Sequence, residues 1–125
     1  MSDVLRGCRV LVVEDESLVA MLLETILDDM GCTTVGPVSS VEEGLAAVRD
    51  EEVLDAALLD VNVAGHQVFP VAQALAERGI PFVFSTGYGL CGLPEAWRGR
   101  PTIQKPFTEA MVGDALLAAI GAVRA

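Results

Sequence analysis

Short apolar runs that end on polar residues recur along the chain and predict buried strands. Residues 56–60 show the pattern most clearly, because an unbroken apolar run ends there on Asp60. A run this short that closes on a carboxylate is typical of a strand covered on both faces. The predicted strands cover residues 8–13, 33–36, 56–60, 80–84 and 102–104. Pro37 is expected to break the second of them.

Segments with apolar residues at three- and four-residue steps alternate with the strands and predict helices. The first begins at Glu16 or Ser17 and ends near Gly31, which stands at the position of a left-handed cap. Ser39 or Ser40 is the expected cap of the second helix, and Thr108 is the expected cap of the last. The predicted helices cover about residues 17–30, 41–50, 69–77 and 109–123.

Two segments do not fit this alternation. Residues 65–67 are predicted to form a loop. Residues 86–101 contain four glycines and two prolines, and each interior Gly costs a helix about 1 kcal/mol and each Pro about 3 kcal/mol. A regular fourth helix is therefore not expected there, and at most one or two turns are predicted at about 94–98.

The alternation of strands and helices predicts a parallel sheet with helices on both faces. In such a sheet the carboxyl ends of the strands form the ligand crevice. The side chains expected there are Glu14, Asp15, Asp60, Thr86 and Lys105. Several carboxylates in one crevice repel one another, so they stay ionised together only if a cation binds between them. The pattern predicts a site for a hard metal ion and for phosphate chemistry.

Oxygen donors near the first and third strands suit Mg²⁺, which prefers hard oxygen ligands and keeps several waters. The carboxylates of Asp15 and Asp60 and the backbone carbonyl of Asn62 are candidate ligands, and Glu14 could hold a metal-bound water. Asp60 is also a candidate nucleophile, because carboxylates can accept a phosphoryl group.

Thr86 and Lys105 could stabilise the oxygens of a phosphoryl group, since a hydroxyl and an ammonium both donate to such oxygens. After phosphoryl transfer, the same two side chains could sense the new charge and move the loops that carry them.

Composition limits the partners of the chain. Its 125 residues are the length of one ordinary domain. The formal net charge of −10 argues against a surface for nucleic acid or an anionic membrane, which needs clustered Lys and Arg. No apolar stretch is long enough to predict a transmembrane helix. The three cysteines form no CxxC pair, which favours reduced thiols in the cytoplasm over a disulfide framework or a zinc site.

An ordered set of short motifs resembles the receiver domain of response regulators in two-component signalling. The set consists of Glu14-Asp15, Leu58-Leu59-Asp60, Thr86 and Lys105-Pro106-Phe107. The resemblance implies a flavodoxin-like α/β fold, with a doubly wound, parallel, five-stranded sheet in the order 2-1-3-4-5. A short or irregular fourth helix is expected from the glycines and prolines of residues 86–101. We expect residues 1–125 to form a single receiver domain, with a core of about 8–123 and no output domain.

The resemblance also implies roles for individual residues. It implies that Asp60 accepts a phosphoryl group from a sensor histidine kinase, with Mg²⁺ held at Glu14, Asp15, Asp60 and the carbonyl of Asn62. Thr86 and Lys105 are implied to assist the transfer and to act as switch residues. Pro106 belongs to the same switch, because the Lys105-Pro106 peptide bond is often cis in the family.

The output expected of such a domain is altered binding to a downstream protein. No enzymatic activity is expected beyond its own phosphorylation and dephosphorylation. The chain is expected to be a cytoplasmic monomer or weak dimer that binds neither nucleic acid nor membrane.

A narrower resemblance lies in residues 81–89, which are similar to the "FAT GUY" receivers named for a Phe-Ala-Thr-Gly signature; here Ser85 replaces the Ala. That subgroup implies partner kinases of the HWE or HisKA2 type. Many receivers also carry an aromatic residue three positions before the Lys, where Thr102 stands here. Tyr88 is a candidate substitute in the switch, with plain surface packing as the alternative.

Two other functions compete with this interpretation. A degenerate receiver could serve as a constitutive protein-binding module, but such a domain usually lacks some of the residues that are all present here. A small Mg²⁺-dependent phosphatase could use Asp60 as its nucleophile, but that chemistry commonly needs a second Asp two positions on, where Asn62 stands. Trp97, in the irregular segment, could serve either packing or partner contact.

Overall fold

A five-stranded parallel sheet lies between two layers of helices in the computed structural model, which describes residues 4–87 and 93–124. The strands of this sheet are β1 (Arg9–Val13), β2 (Thr33–Val38), β3 (Ala56–Asp60), β6 (Phe82–Thr86) and β7 (Thr102–Gln104). A small hairpin is formed by β4 (Asn62–Val63) and β5 (His66–Gln67). The helices are α1 (Ser17–Asp29), α2 (Val41–Asp50), α3 (Phe69–Glu77) and α4 (Glu109–Arg124).

The strand order is β2-β1-β3-β6-β7, and every neighbouring pair is parallel. Counted along the five long strands, this is the predicted order 2-1-3-4-5, and the doubly wound α/β fold is confirmed. The order reverses direction beside β1, so the carboxyl ends of β1 and β3 are adjacent. Open sheets of this kind bind ligands at such a point.

Apolar residues fill both faces of the sheet because successive strand residues point in opposite directions. In β1, Val10 and Val12 pack with α1 and α4, whereas Leu11 and Val13 pack with α2 and α3. All four of these valine and leucine side chains are fully buried. The two packed faces fix the sheet, so the side chains at its carboxyl edge are held in place by a rigid frame.

The predicted break at Pro37 is wrong, because β2 continues through Pro37 to Val38. β2 is one of the two edge strands of the sheet, and a backbone N–H that is missing on the open side of an edge strand costs no ladder hydrogen bond. The register with β1 shifts between Leu11 and Val13. Gly36 has a φ of +92°, and a Cβ there would lie 2.7 Å from the backbone nitrogen of Val38. The strand therefore accommodates Pro37 by a local shift in register, and the backbone conformation at Gly36 requires a glycine.

Two further boundaries differ from the sequence prediction. The fourth long strand covers Phe82–Thr86 rather than 80–84, because its register pairs Ala57 with Phe82 and Asp60 with Ser85. Residues 66–67 are a strand rather than a loop: β5 pairs antiparallel with β4. Ala64 and Gly65 form the two-residue turn of this hairpin, and both have positive φ, as the common tight hairpin turn requires.

The predicted helix ends are largely confirmed. Gly31 adopts a φ of +81° after α1, and the Ser40 side chain caps α2 by accepting a hydrogen bond from the backbone N–H of Glu43 at 3.0 Å. Thr108 caps α4 by accepting from the N–H of Met111 at 3.2 Å. None of the helices in residues 4–87 and 93–124 is long and apolar enough to span a membrane.

The segment before β7 contains a single 3-10 turn, Glu95–Trp97, in its described part, which agrees with the short or irregular fourth helix that was predicted. Trp97 stacks on Phe69 with ring centres 6.1 Å apart and meets Phe84 edge-on at 6.0 Å. Phe82 completes the cluster, with Arg100 above its ring at 4.8 Å. Of the two roles considered for Trp97, packing is the one that its contacts favour, because the indole anchors the turn to the sheet.

We expect Trp97→Ala to lower the free energy of unfolding by about 2–3 kcal/mol, because a half-buried indole loses its contacts with three aromatic rings. Urea unfolding of the full chain measures the change. Leu18→Ala is the control, since Leu18 is 81% exposed and its truncation should change the free energy by less than about 0.5 kcal/mol. Equal effects of the two substitutions would show that the aromatic cluster does not anchor the turn.

Candidate functional site

Acidic side chains from two neighbouring strands meet at the carboxyl edge of the sheet. Asp60 is the last residue of β3, and Glu14 and Asp15 directly follow β1. The pairing of Val13 with Leu59 places these strand ends side by side. Glu14 and Asp60 are buried, and one oxygen from each of the three carboxylates lies within 4.8 Å of the others. The structure thus brings together the three acids that the sequence predicted to meet.

Lys105, the only lysine of the sequence, follows β7 and reaches into this cluster. Its Nζ atom lies 3.1 Å from Glu14 Oε1 and 3.4 Å from Asp60 Oδ2. A third carboxylate, that of the exposed Glu16, lies 3.5 Å away. One ammonium faces several carboxylates, so the cluster keeps a negative charge when its acids are ionised.

Burial and charge both change the titration of the site. The pKa of Asp60 is raised to about 7, first by burial and then by the neighbouring carboxyl of Glu14, whose effect exceeds the opposing effect of the Lys105 ammonium. For Lys105, burial lowers the pKa, but the close contact with the Glu14 carboxylate and the charge of Asp60 outweigh burial and raise the pKa above its usual value. The lysine is therefore held as a cation, whereas Asp60 is crowded by a like charge.

The β4–β5 hairpin forms one wall of the site. The backbone N–H of Ala64, in the left-handed conformation with φ +51°, donates to Asp15 Oδ2 at 3.0 Å. This bond ties the hairpin turn to the acidic loop after β1. Asn62, at the start of the hairpin, lines the same cleft as Asp60.

Thr86 forms the opposite wall, at the buried end of β6. The backbone N–H of Lys105 donates to the carbonyl of Thr86 at 2.9 Å, so the ends of β6 and β7 are joined there. The peptide bond between Lys105 and Pro106 is cis, in agreement with the expectation. The cleft between the two walls has a volume of about 580 Å³ and is lined by Asp15, Asp60, Asn62, Thr86 and Lys105, among others.

The predicted aromatic substitute, Tyr88, lies outside the described residues. Thr102, which stands where many receivers carry an aromatic residue, is half-buried in β7. Its hydroxyl donates to the carbonyl of Arg100 at 3.1 Å. The Thr102 hydroxyl is thus hydrogen-bonded to the backbone nearby, and no aromatic ring stands at this position.

Five residues that line the cleft were not predicted as site residues: Glu16, Val61, Gly65, Gln67 and Gly87. The acidic run after the first strand could have pointed to Glu16. No sequence signal pointed to Gln67, because its position depends on the hairpin, which the sequence did not predict.

The donor set fits a hard divalent cation. Carboxylate oxygens are the ligands that Mg²⁺ prefers, and Glu14, Asp15 and Asp60 each offer one within a single cluster. Glu14 Oε1 is buried and accepts no well-aligned hydrogen bond from the described residues, although Lys105 Nζ is nearby. A cation would relieve the repulsion between buried carboxylates that one lysine leaves uncompensated.

Comparisons with known proteins agree with this arrangement. A family model described as the response regulator receiver domain matches residues 10–96. The chain is similar to the solution structure of SdrG from Sphingomonas melonis Fr1, with 46% identity, a TM-score of 0.81, and coverage of 96% of this chain and 98% of that one. No curated protein matches the chain.

Two further solved structures share this fold. The BeF3-activated conformation of SdrG from Pseudomonas melonis Fr1 is 48% identical with a TM-score of 0.77, and the match covers 90% of this chain and 95% of that one. The REC domain of the PhyR response regulator from Erythrobacter litoralis is 25% identical with a TM-score of 0.79, and the match covers 94% and 93% of the two chains.

Asp60→Asn should stabilise the metal-free protein at high pH. The pKa of Asp60 is about 7 in the folded chain, above the ordinary value of 3.8, so the folded state holds this proton more tightly. Ionisation of Asp60 therefore lowers stability as pH rises from about 4 to above 7. We expect the variant to gain roughly 1–3 kcal/mol over the wild type at pH 8.5, and much less at pH 5.

Urea unfolding in the presence of a chelator, at both pH values, measures the difference between variant and wild type. Because every other titrating group is common to the two chains, the difference isolates Asp60. A gain that is the same at pH 5 and pH 8.5 would show that the pKa of Asp60 is not raised in the folded state.

Proposed function

Because this chain belongs to the response regulator receiver domain family, we propose that it accepts a phosphoryl group from a sensor histidine kinase on Asp60. The new charge then alters the binding of a downstream protein. The observation that carries the proposal is the surroundings of Asp60: two further carboxylates within 4.8 Å and the Lys105 ammonium at 3.4 Å, at the edge of an open cleft.

Asp60 is the nucleophile in this proposal. One of its carboxylate oxygens attacks the phosphorus of a phosphohistidine, a P–O bond forms as the P–N bond breaks, and the histidine nitrogen keeps the electron pair. The Lys105 ammonium, already beside Asp60, moves to an oxygen of the transferred group. The Thr86 hydroxyl, at the end of the neighbouring strand, donates to a second oxygen.

Mg²⁺ is the proposed cofactor. Asp15, Asp60 and the backbone carbonyl of Asn62 would hold it, with Glu14 binding through one of its waters. When bound, the ion supplies positive charge that offsets the charge of the phosphoryl oxygens. The carboxylate cluster supports this assignment, because the acids already lie close enough to share one ion.

Thr86 and Lys105 are the proposed switch residues, together with Pro106 and Tyr88. Once the phosphoryl group draws Lys105 away from Glu14, the linked ends of β6 and β7 carry the change. Phe84, two residues before Thr86 on the same face of β6, contacts Trp97. A shift of β6 would therefore reach the 3-10 turn, which makes the segment from Tyr88 to Arg98 the proposed output surface.

The wider setting belongs to the same proposal. The signature at residues 81–89 supports the FAT GUY subgroup, and with it a partner kinase of the HWE or HisKA2 type. We propose a single-domain receiver that acts in the cytoplasm as a monomer or weak dimer and binds proteins rather than nucleic acid or membrane. The net charge of −10 supports the last point.

Incubation with phosphoramidate and Mg²⁺ should add one phosphoryl group to the full chain, because Asp60 has its activating groups in place without a kinase. Intact-mass measurement detects the adduct. Asp60→Asn should abolish it, and a chelator should slow its formation by at least about tenfold.

Asp55→Asn is the matched control. Asp55 lies just before β3, at the opposite edge of the sheet, where its carboxylate accepts from the backbone N–H of Arg9. This variant should be phosphorylated as the wild type is. An adduct that persists in Asp60→Asn, or a wild type that gains none, would overturn the proposed acceptor role.

A further inference from the structure

Ser85 is a buried polar residue of β6, directly before Thr86, and the function proposed above does not use it. It is 2% exposed, and its hydroxyl makes no hydrogen bond with any residue in the described part of the chain. Burying an unpaired hydroxyl is unfavourable, so such a group in a native site requires an explanation.

The strand register identifies the polar neighbour of Ser85. On one side Ser85 is paired with Asp60 of β3, and on the other side with Ile103 of β7. Paired residues of neighbouring strands point to the same face of the sheet, and the strands lie about 4.8 Å apart. Of these two neighbours, only Asp60 carries a polar side chain. The hydroxyl therefore stands beside the carboxyl group of the phosphoacceptor.

The contacts of Asp60 explain why the hydroxyl is unpaired in this structure. Asp60 Oδ2 faces the Lys105 ammonium, and its carboxyl group is in contact with that of Glu14. Transfer of a phosphoryl group would convert one carboxyl oxygen into the bridging oxygen and draw Lys105 toward the phosphoryl group. The other carboxyl oxygen, which would also bind the proposed Mg²⁺, then loses Lys105 as a neighbour and can accept a hydrogen bond, and Ser85 is the polar side chain that the ladder places beside it.

Building on the acceptor role proposed for Asp60, we propose that the Ser85 hydroxyl donates a hydrogen bond to the non-bridging carboxyl oxygen of phosphorylated Asp60 and shortens the lifetime of the acyl phosphate. In hydrolysis a water attacks phosphorus, the bond between phosphorus and the Asp60 oxygen breaks, and its electron pair stays on the carboxylate. Both water protons leave with the phosphate as H₂PO₄⁻. Negative charge grows on the carboxyl group during this step, and a donor to it lowers the barrier.

The same bond has the opposite effect on phosphorylation. It stabilises the free carboxylate, which is the more charged state, and so does not speed the attack on phosphorus. Loss of the hydroxyl should therefore slow hydrolysis without slowing phosphorylation. A purely structural role for Ser85 would disturb both reactions and the stability of the fold.

The test compares the full-length wild type with Ser85→Ala after phosphorylation by phosphoramidate and Mg²⁺, removal of the donor, and intact-mass measurement over time. We expect the half-life of the phosphorylated Ser85→Ala chain to be about three- to tenfold longer than that of the wild type. We expect its rate of phosphorylation to be unchanged or higher. Its urea midpoint should be unchanged or higher, because an unpaired buried hydroxyl has been removed.

Two variants at the same place separate chemistry from packing. Ser85→Cys keeps the size and a weak donor and should give an intermediate half-life. Ile103→Val trims the apolar neighbour on the other side of Ser85 and should keep the wild-type half-life. A wild-type half-life in Ser85→Ala, or a parallel loss of phosphorylation and stability, would overturn the inference while leaving the acceptor role intact. A wild type that takes up no phosphoryl group would overturn both.

Discussion

Crowding of carboxylates at the end of β3 is the constraint on which the site depends. Asp60 and Glu14 are buried side by side with Asp15 next to them, and a single lysine compensates them. Like charges at this distance repel one another, and ionising all of them is unfavourable unless further positive charge binds between them. The cluster is therefore poised to take up positive charge, and the proposed phosphoryl transfer with a bound metal ion would change the contacts of every member. The repulsion between the carboxylates in the metal-free site is what makes the site respond to added positive charge.

The fold holds the three carboxylates together despite their mutual repulsion. Each carboxylate stands at the end of a strand whose preceding residues are packed on both faces, so the backbone cannot move apart to separate the charges. The hydrogen bond from Ala64 to Asp15 and the bond from Lys105 to Thr86 link the surrounding loops to the same edge. The aromatic cluster around Trp97 extends that connection to the far side of β6.

The sequence predicts what depends on local pattern and strand order. Apolar runs that end on Asp60 and Glu14 predict both the parallel sheet and the meeting of the acids, because the ends of parallel strands share an edge. The sequence does not predict features that depend on which strands lie next to one another in the sheet. Pro37 is tolerated only because β2 is an edge strand, and residues 66–67 form a strand only because they pair with β4. The position of Ser85 beside Asp60 likewise follows from register, which composition does not reveal.

Titration of the full chain with beryllofluoride and Mg²⁺, followed by backbone amide NMR, tests the central claim most directly. SdrG, to which this chain is similar, has a solved BeF3-activated conformation, so the ligand is a suitable phosphoryl mimic. Our account predicts saturable shifts at Asp60, Thr86 and Lys105 that require Mg²⁺ and vanish in Asp60→Asn. Absence of any saturable change in the wild type would contradict it and would leave a constitutive binding module as the better description.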